Sequence, residues 1–331
     1  MSTPRTLGYR LPAEWETQGG VWLSWPTNPA TWVGHRKAVQ KTFAEMTLKF
    51  SKYESVFINL ESQFQEQVLD VLERVGEELG LELGSVRFFD HATDDAWVRD
   101  HGPIYLRHAE TGELLITDWQ YNAWGSKYPF ARDNEVPRLI AGSTGIGRVE
   151  ESMVLEGGGL EPNGVGDLLV TSDCLLNANR NPLMTKPQIE ARLIEGLGVQ
   201  RVHWLSGCIE GDDTDGHIDN LARFYEPAAL LVAGSSERDM ANHRQLERLR
   251  QACKELILCA GGHPEVRVLP LPEPVYIDGK RLPMSYLNFF IGNGAVFVPA
   301  YGQPDADAQA AEILSEAFPD REIEAIDCRT L

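Results

Sequence analysis

Apolar residues along this 331-residue chain follow two rhythms. Short contiguous or alternating runs at 21–25, 55–60, 86–89, 114–119, 201–205 and 230–233 predict strands. Stretches with apolar residues three and four positions apart predict helices at 35–50, 62–79, 188–196, 239–258 and 307–317. In the second of these, Phe64, Val68, Val71, Leu72 and Val75 lie near one face. Further strands are predicted at 288–291, 295–299 and 322–326. The strand–strand–helix beat recurs at uneven spacing. That excludes a solenoid and leaves an α/β fold, either a doubly wound sheet or repeated α/β modules around an axis.

Composition narrows the class. A hydrophobic fraction of 43% with eight tryptophans supports a buried core. No run approaches the about 18 apolar residues of a membrane span, and the first residues lack the apolar stretch of a signal peptide. The formal charge of −19, from 30 basic and 49 acidic residues, argues against nucleic-acid binding and fits a field that attracts cations. Five cysteines (Cys174, Cys208, Cys253, Cys259 and Cys328) form no CxxC pair and read as free thiols of a reducing, cytoplasmic compartment. There is no GxGxxG after a strand and no P-loop. The glycine run 157–159 is followed by Glu161-Pro162 where a phosphate-binding helix would open.

Polar residues then concentrate in a few stretches. In TDDAWVRDHGP (93–103), three aspartates, Asp94, Asp95 and Asp100, surround Trp97 and Arg99. A loop or strand end is expected, with Arg99 paired among the acids and Trp97 offering its face to a cation. In 155–182, Glu156 precedes three glycines, where backbone can approach a ligand closely. Asn163-Gly164 and Gly166-Asp167 read as a hairpin turn, and Asn177, Asn179, Arg180 and Asn181 as a polar network. In GDDTDGHIDN (211–220), His217 and Asp219 stand two apart and would share one face of a strand, a pairing suited to acid–base chemistry. Asp213-x-Asp215-Gly216 is a fragment of a calcium loop, but Gly211 and Ala222 occupy its first and last ligand positions. A metal-dependent hydrolase on Asp213, Asp215, His217 and Asp219 stays open as an alternative, though no metal is favoured. Finally, Asn288 falls in an apolar run, where a buried amide would need a partner.

Five segments, taken in order, resemble the agmatine deiminase and bacterial-type peptidylarginine deiminase family: LPAEWETQGGVWLSWPTNPATW, DDAWVRDHGP, EGGGLEPNGVGDLLVTSDCLLNANRNP, GDDTDGHIDN and SYLNFFIGNGAVFVPAYG. The resemblance spans nearly the whole chain. It implies a single catalytic domain over 1–331, a five-bladed α/β propeller (pentein) of repeated ββαβ modules with pseudo-fivefold symmetry. It implies hydrolysis of agmatine to N-carbamoylputrescine and ammonia, a putrescine-forming reaction, by a cysteine thiolate without metal or cofactor. By resemblance, Asp100 and Asp219 clamp the guanidinium and His217 is the acid and base. Asp94, Asp95, Trp97, Glu156 and Asp213 line the pocket, with Asn288 a further candidate. His101 stands where the family has a small polar residue.

The family's nucleophile lies in a glycine-rich segment ending in His-Cys, beyond the strand at 322–326. The 331 residues close on IDCRTL without that motif, and none of the five cysteines matches it. The expectation is a C-terminally truncated product with its clamp mostly intact and little or no turnover. Agmatine is favoured over arginine or peptidylarginine because no arginine is free to meet a substrate carboxylate. A non-catalytic guanidine- or polyamine-binding protein is the other alternative. The expected partner is a small cationic guanidine, not nucleic acid or membrane, and a homo-oligomer is allowed.

Overall fold

In the computed structural model, which describes residues 2–277 and 279–331, the chain is a mixed α/β fold. After β1 (Tyr9–Arg10) come β2 (Val21–Ser24), α1 (Arg36–Phe50), β3 (Val56–Asn59), α2 (Gln65–Leu79) and β4 (Val86–Phe89), whose three long strands form an all-parallel sheet in the order β2-β3-β4. A one-turn helix α3 (Val98–His101) leads into β5 (Ile104–His108) and β6 (Leu114–Gln120). The short α4 (Ala123–Ser126) and α5 (Val136–Thr144) then connect to β7 (Gly147–Val154). Here β5 runs antiparallel to β6, β6 parallel to β7, and β1 adds to the outer edge of β5.

The same plan recurs. β8 (Glu161–Pro162) and β9 (Asp167–Thr171) form the predicted hairpin, followed by α6 (Ser172–Leu175), α7 (Lys186–Leu197) and β10 (Arg201–Leu205). β11 (Ala222–Glu226), β12 (Ala229–Gly234), α8 (Met240–Glu255) and β13 (Glu265–Pro270) follow. After a ribbon of β14 (Tyr276–Ile277) and β15 (Lys280–Arg281) come β16 (Phe290–Ile291), β17 (Ala295–Ala300), α9 (Pro304–Ala317) and β18 (Glu322–Asp327). Four times, therefore, a first strand turns antiparallel onto a second, and helical connections carry the chain to a third strand parallel to the second. The β2-β3-β4 sheet departs from this plan. β2 corresponds to a second strand, since α1 connects it to its parallel neighbour β3, but among the described residues its other edge carries no first strand.

Local chemistry accounts for the elements. Second strands are covered on both faces: every residue of β9 and of β12 is buried, which explains their continuous apolar runs. The predicted stripe on α2 is present, with Val68, Leu72 and Val75 buried, and the helix ends at Gly80 in the left-handed conformation (φ 65°). α7 opens with a Thr185–Gln188 capping box. Apolar clusters cross from sheet to sheet: Leu106 and Leu115 pack with Leu168 and Val202, Phe224 with Leu287, and Ile58 with Phe297 and Ile326. Among the described residues, no helix is long and apolar enough to cross a membrane.

The structure corrects several expectations. β5, β7, β11 and β13 did not stand out in the apolar pattern. β7 (GRVEESMV) and β13 (EVRVLP) leave many side chains at least partly in solvent, so charge interrupts their apolar runs. His217 and Asp219 are not on a strand, because Ile218–Asn220 is a 3-10 turn with His217 at its N-cap. Asn288 is exposed rather than buried and precedes β16, which begins only at Phe290.

Candidate active site

Each first strand is entered through a tight turn, and these turns carry the polar residues singled out above. Asp100 lies on α3 before β5, Glu156 and the 3-10 turn Gly157–Gly159 before β8, His217 and Asp219 before β11, and Asn288 before β16. Because the turns occupy equivalent places in successive modules, side chains more than a hundred residues apart are brought together.

Their meeting point is Gly158. A Cβ there would stand 2.6 Å from Asp100 Oδ1, 2.6 Å from His217 Nδ1 and 2.8 Å from Asp219 Oδ2. Only glycine leaves space for the three side chains, and the Gly158 N–H donates to Asp100 Oδ1 at 3.1 Å. His217 Nδ1 is 3.5 Å from Asp100 Oδ1, and on its other side Nε2 is 3.6 Å from Glu156 Oε2. All four side chains are buried, yet Asp219 Oδ1 and His217 Nε2 find no hydrogen-bond partner. Asp219 borders a cavity of about 370 Å³ that Val98, Arg99, Arg223, Asn288 and Phe289 also line. The Asn288 amide donates to Asn220 Oδ1 at 3.2 Å.

Burial sets the electrostatics. It pushes the Asp100 carboxyl up to about 6, with His217 pulling down and Asp219 and Glu156 adding to the rise. Burial likewise raises Asp219. For His217, burial disfavours the charged ring, but Asp100 first, then Cys174 and Glu156, outweigh it and hold the imidazolium to well above its usual range. Glu156 is also buried, but His217 and Arg180 bring its carboxyl below the usual value. The result is a buried cluster of three acidic side chains around His217, with an Asp219 oxygen that meets no donor among the described residues.

Side chains behind Glu156 hold this cluster in place. Arg180 is fully buried, donating from Nε to Glu156 Oε1 at 2.8 Å, from Nη1 to Asp215 Oδ2 at 2.5 Å and to Asn179 Oδ1 at 2.7 Å, and from Nη2 to the Thr214 carbonyl at 2.8 Å. Asn181 pairs with both backbone groups of Val154 at 2.9 Å, which ties down the end of β7. The expected polar network at 177–181 is therefore present. Within it Asp215 is engaged by Arg180 and Lys127, and Asp213 by Tyr128 Oη (2.6 Å) and Lys127.

Other expected residues fall outside the central cluster. Asp94 accepts from the Arg132 backbone at 2.8 Å. Asp95 caps Ala96 N–H at 2.7 Å, accepts from Thr31 at 3.3 Å and is raised by burial. Arg99 does not pair with its neighbouring aspartates but with Glu14, at 2.9 Å, because α3 turns it away from them. Trp97 belongs to an aromatic wall, 5.6 Å from Trp32 and 6.3 Å from Trp124, which continues to Tyr128 at 5.8 Å. Trp124 was not anticipated. It sits in an unusual left-handed run, with Ala123, Trp124 and Ser126 at φ 48°, 55° and 64°, which no apolar periodicity signals. His101 is buried with both ring nitrogens unpartnered, and burial lowers its pKa to about 3, so the ring is neutral beside Tyr121. Cys174 was set aside in the sequence, yet its Sγ lies 3.6 Å from Glu156 Oε2. Burial raises its thiol, as the surrounding acids suggested.

Residues 10–331 match the model of the Porphyromonas-type peptidyl-arginine deiminase family. Among curated proteins, the agmatine deiminases of Pseudomonas aeruginosa (strain LESB58) and Stutzerimonas stutzeri (strain A1501) are 32% and 33% identical, over 100% of this chain and 93% of each relative. Among solved structures, the agmatine deiminase of Enterococcus faecalis superposes with a TM-score of 0.90 at 28% identity, covering 100% of this chain and 93% of that one. A cysteine-to-serine agmatine deiminase of C. jejuni with substrate bound superposes with a TM-score of 0.85 at 31% identity, covering 97% and 91%.

Proposed function

This chain belongs to the Porphyromonas-type peptidyl-arginine deiminase family, and from that premise we propose that it hydrolyses the guanidinium group of agmatine to N-carbamoylputrescine and ammonia. The observation that carries the reading is the convergence of Asp100, His217 and Asp219 on Gly158, with a buried Asp219 oxygen that lacks a donor. A guanidinium is flat and stays cationic, and its paired N–H groups match carboxylates. In this reading Asp100 and Asp219 grip it, and Glu156 and Asn288 border it.

Attack by a thiolate on the central carbon forms a C–S bond. His217 gives its proton to the departing nitrogen as the C–N bond breaks and ammonia leaves. Water then attacks the thiouronium carbon and loses a proton to His217. The C–S bond breaks, releasing the ureido product and the thiolate. The open edge of β2 supports a place for that nucleophile: four sheets carry an antiparallel first strand entered through a polar turn, and a glycine-rich His-Cys strand on β2 would complete the fifth. On the same basis we read the five sheets as blades of a five-bladed α/β propeller.

Agmatine suits the site better than arginine. Its distal ammonium would meet the wall of Trp32, Trp97 and Trp124, with Asp95 beside it. The arginines near the site are engaged: Arg180 by Glu156 and Asp215, Arg223 by Glu14 and Glu161, and Arg99 by Glu14. All five cysteines are free thiols, which fits a cytoplasmic enzyme.

The test is ammonia release from agmatine by a chain carrying the glycine-rich His-Cys segment, with and without Asp219→Asn. Loss of half the clamp is expected to cost about 3–5 kcal/mol in kcat/KM. Equal rates in the two proteins would overturn the role of Asp219. Agmatine binding with no ammonia release would favour the binding-protein alternative.

A further inference from the structure

His217 presents Nδ1 to Asp100, while its Nε2 is buried, without a hydrogen-bond partner, and directed at a different pair of side chains. Those are Glu156, at the end of β7, and Cys174, on α6. The three donor atoms, one each from Glu156, Cys174 and His217, lie within 4.8 Å of one another. The Glu156 Oε2–His217 Nε2 and Glu156 Oε2–Cys174 Sγ separations are both 3.6 Å. Tetrahedral coordination with metal–nitrogen and metal–oxygen bonds of about 2.0–2.2 Å and a metal–sulfur bond of about 2.3 Å sets donors roughly 3.3–3.7 Å apart. Both edges match that figure.

We propose that Glu156, Cys174 and His217 form a binding site for a thiophilic divalent cation of the Zn²⁺ class. The donor set of one thiolate, one imidazole and one carboxylate is of the kind such ions prefer. The supporting contacts are also in place. Asp100 stands 3.5 Å behind His217 Nδ1, the position from which a carboxylate orients a metal-ligating histidine. Arg180 Nε holds the other oxygen of Glu156 at 2.8 Å and leaves Oε2 to the ion. Thr171 Oγ1 accepts from Cys174 N–H at 3.2 Å and so anchors the turn that carries the sulfur. Coordination takes one proton from Cys174 and one from His217 Nε2 and releases both to solvent, so binding tightens as pH rises.

The binding does not depend on the proposed hydrolysis. Its consequence for turnover does: an ion on Nε2 keeps His217 from carrying protons, so occupancy would inhibit the reaction rather than assist it.

Co²⁺ is the probe, because a thiolate ligand gives it a near-ultraviolet charge-transfer band that needs no turnover to observe. Titration of the full chain is expected to produce that band at one equivalent, with Zn²⁺ displacing it. Cys174→Ser should abolish the band, and Cys328→Ser should leave it unchanged. Glu156→Gln, which preserves shape if Cys174→Ser fails to fold, should weaken Co²⁺ binding at least tenfold. A band that survives Cys174→Ser, depends on Cys328, or never appears in the parent protein would overturn the proposal.

Discussion

Arg180 Nε donates to Glu156 Oε1 at 2.8 Å, and both side chains are completely buried. Glu156 in turn faces His217, so this ion pair holds the cluster together from below. Replacing the arginine leaves a carboxylate stranded in a dry interior. Arg180→Met is expected to lose about 3–5 kcal/mol of stability, read from the urea midpoint. The double variant with Glu156→Gln should recover part of that loss, because it removes the stranded charge.

Gly158 tolerates no side chain. With Asp100, His217 and Asp219 atoms 2.6–2.8 Å from its virtual Cβ, Gly158→Ala must displace at least one of them. Overpacking of this kind costs about 1–3 kcal/mol. The expected outcome is a protein that still melts cooperatively at lower temperature but no longer binds agmatine by calorimetry. Retained affinity would mean that the three side chains do not act together.

Agmatine affinity should fall as pH drops through about 6. Burial raises the Asp100 carboxyl to about 6, so below that value the clamp takes up a proton and loses its charge. His217, raised well above its usual range, is already charged where Asp100 takes up its proton. Calorimetry between pH 8 and pH 5 should show progressive weakening, accompanied by proton release on binding near pH 6. Affinity independent of pH would contradict the role of Asp100.

Glu54 is expected to make the fold more stable in mild acid. Neither carboxylate oxygen has a hydrogen-bond partner, and burial, with Glu14 adding, raises the group to about 7. The folded state thus holds this proton more tightly than the unfolded chain does. The stabilisation is complete below the usual carboxylate range and is lost as pH rises through about 7. Asp133 and Glu161, also raised by burial to about 7, act in the same direction. Glu54→Gln should melt higher than the parent at pH 8 and show a shallower decline between pH 5 and pH 8.

Residues whose role depends on local composition were the most legible in the sequence. Asp100, Glu156, His217 and Asp219 announced themselves as charge beside glycine, and the structure brings all four to one point. The β12 strand was visible because burial on both faces leaves an uninterrupted apolar run. What stayed hidden depends on distant partners or on backbone shape. Nothing near Arg99 points to Glu14, 85 positions away. Nothing near Cys174 points to His217. The left-handed backbone at Trp124 is carried by residues with no preference for it, and Asn288 looked buried because its neighbours Leu287 and Phe289 are.

The side of β2 away from β3 has a further implication. Val21, Trp22 and Leu23 line the same cavity that Asp219 borders, and among the described residues no strand pairs with that side. A peptide that added itself there by backbone hydrogen bonds would therefore come to rest against the acidic cluster, and its side chains would decide what else the cavity admits.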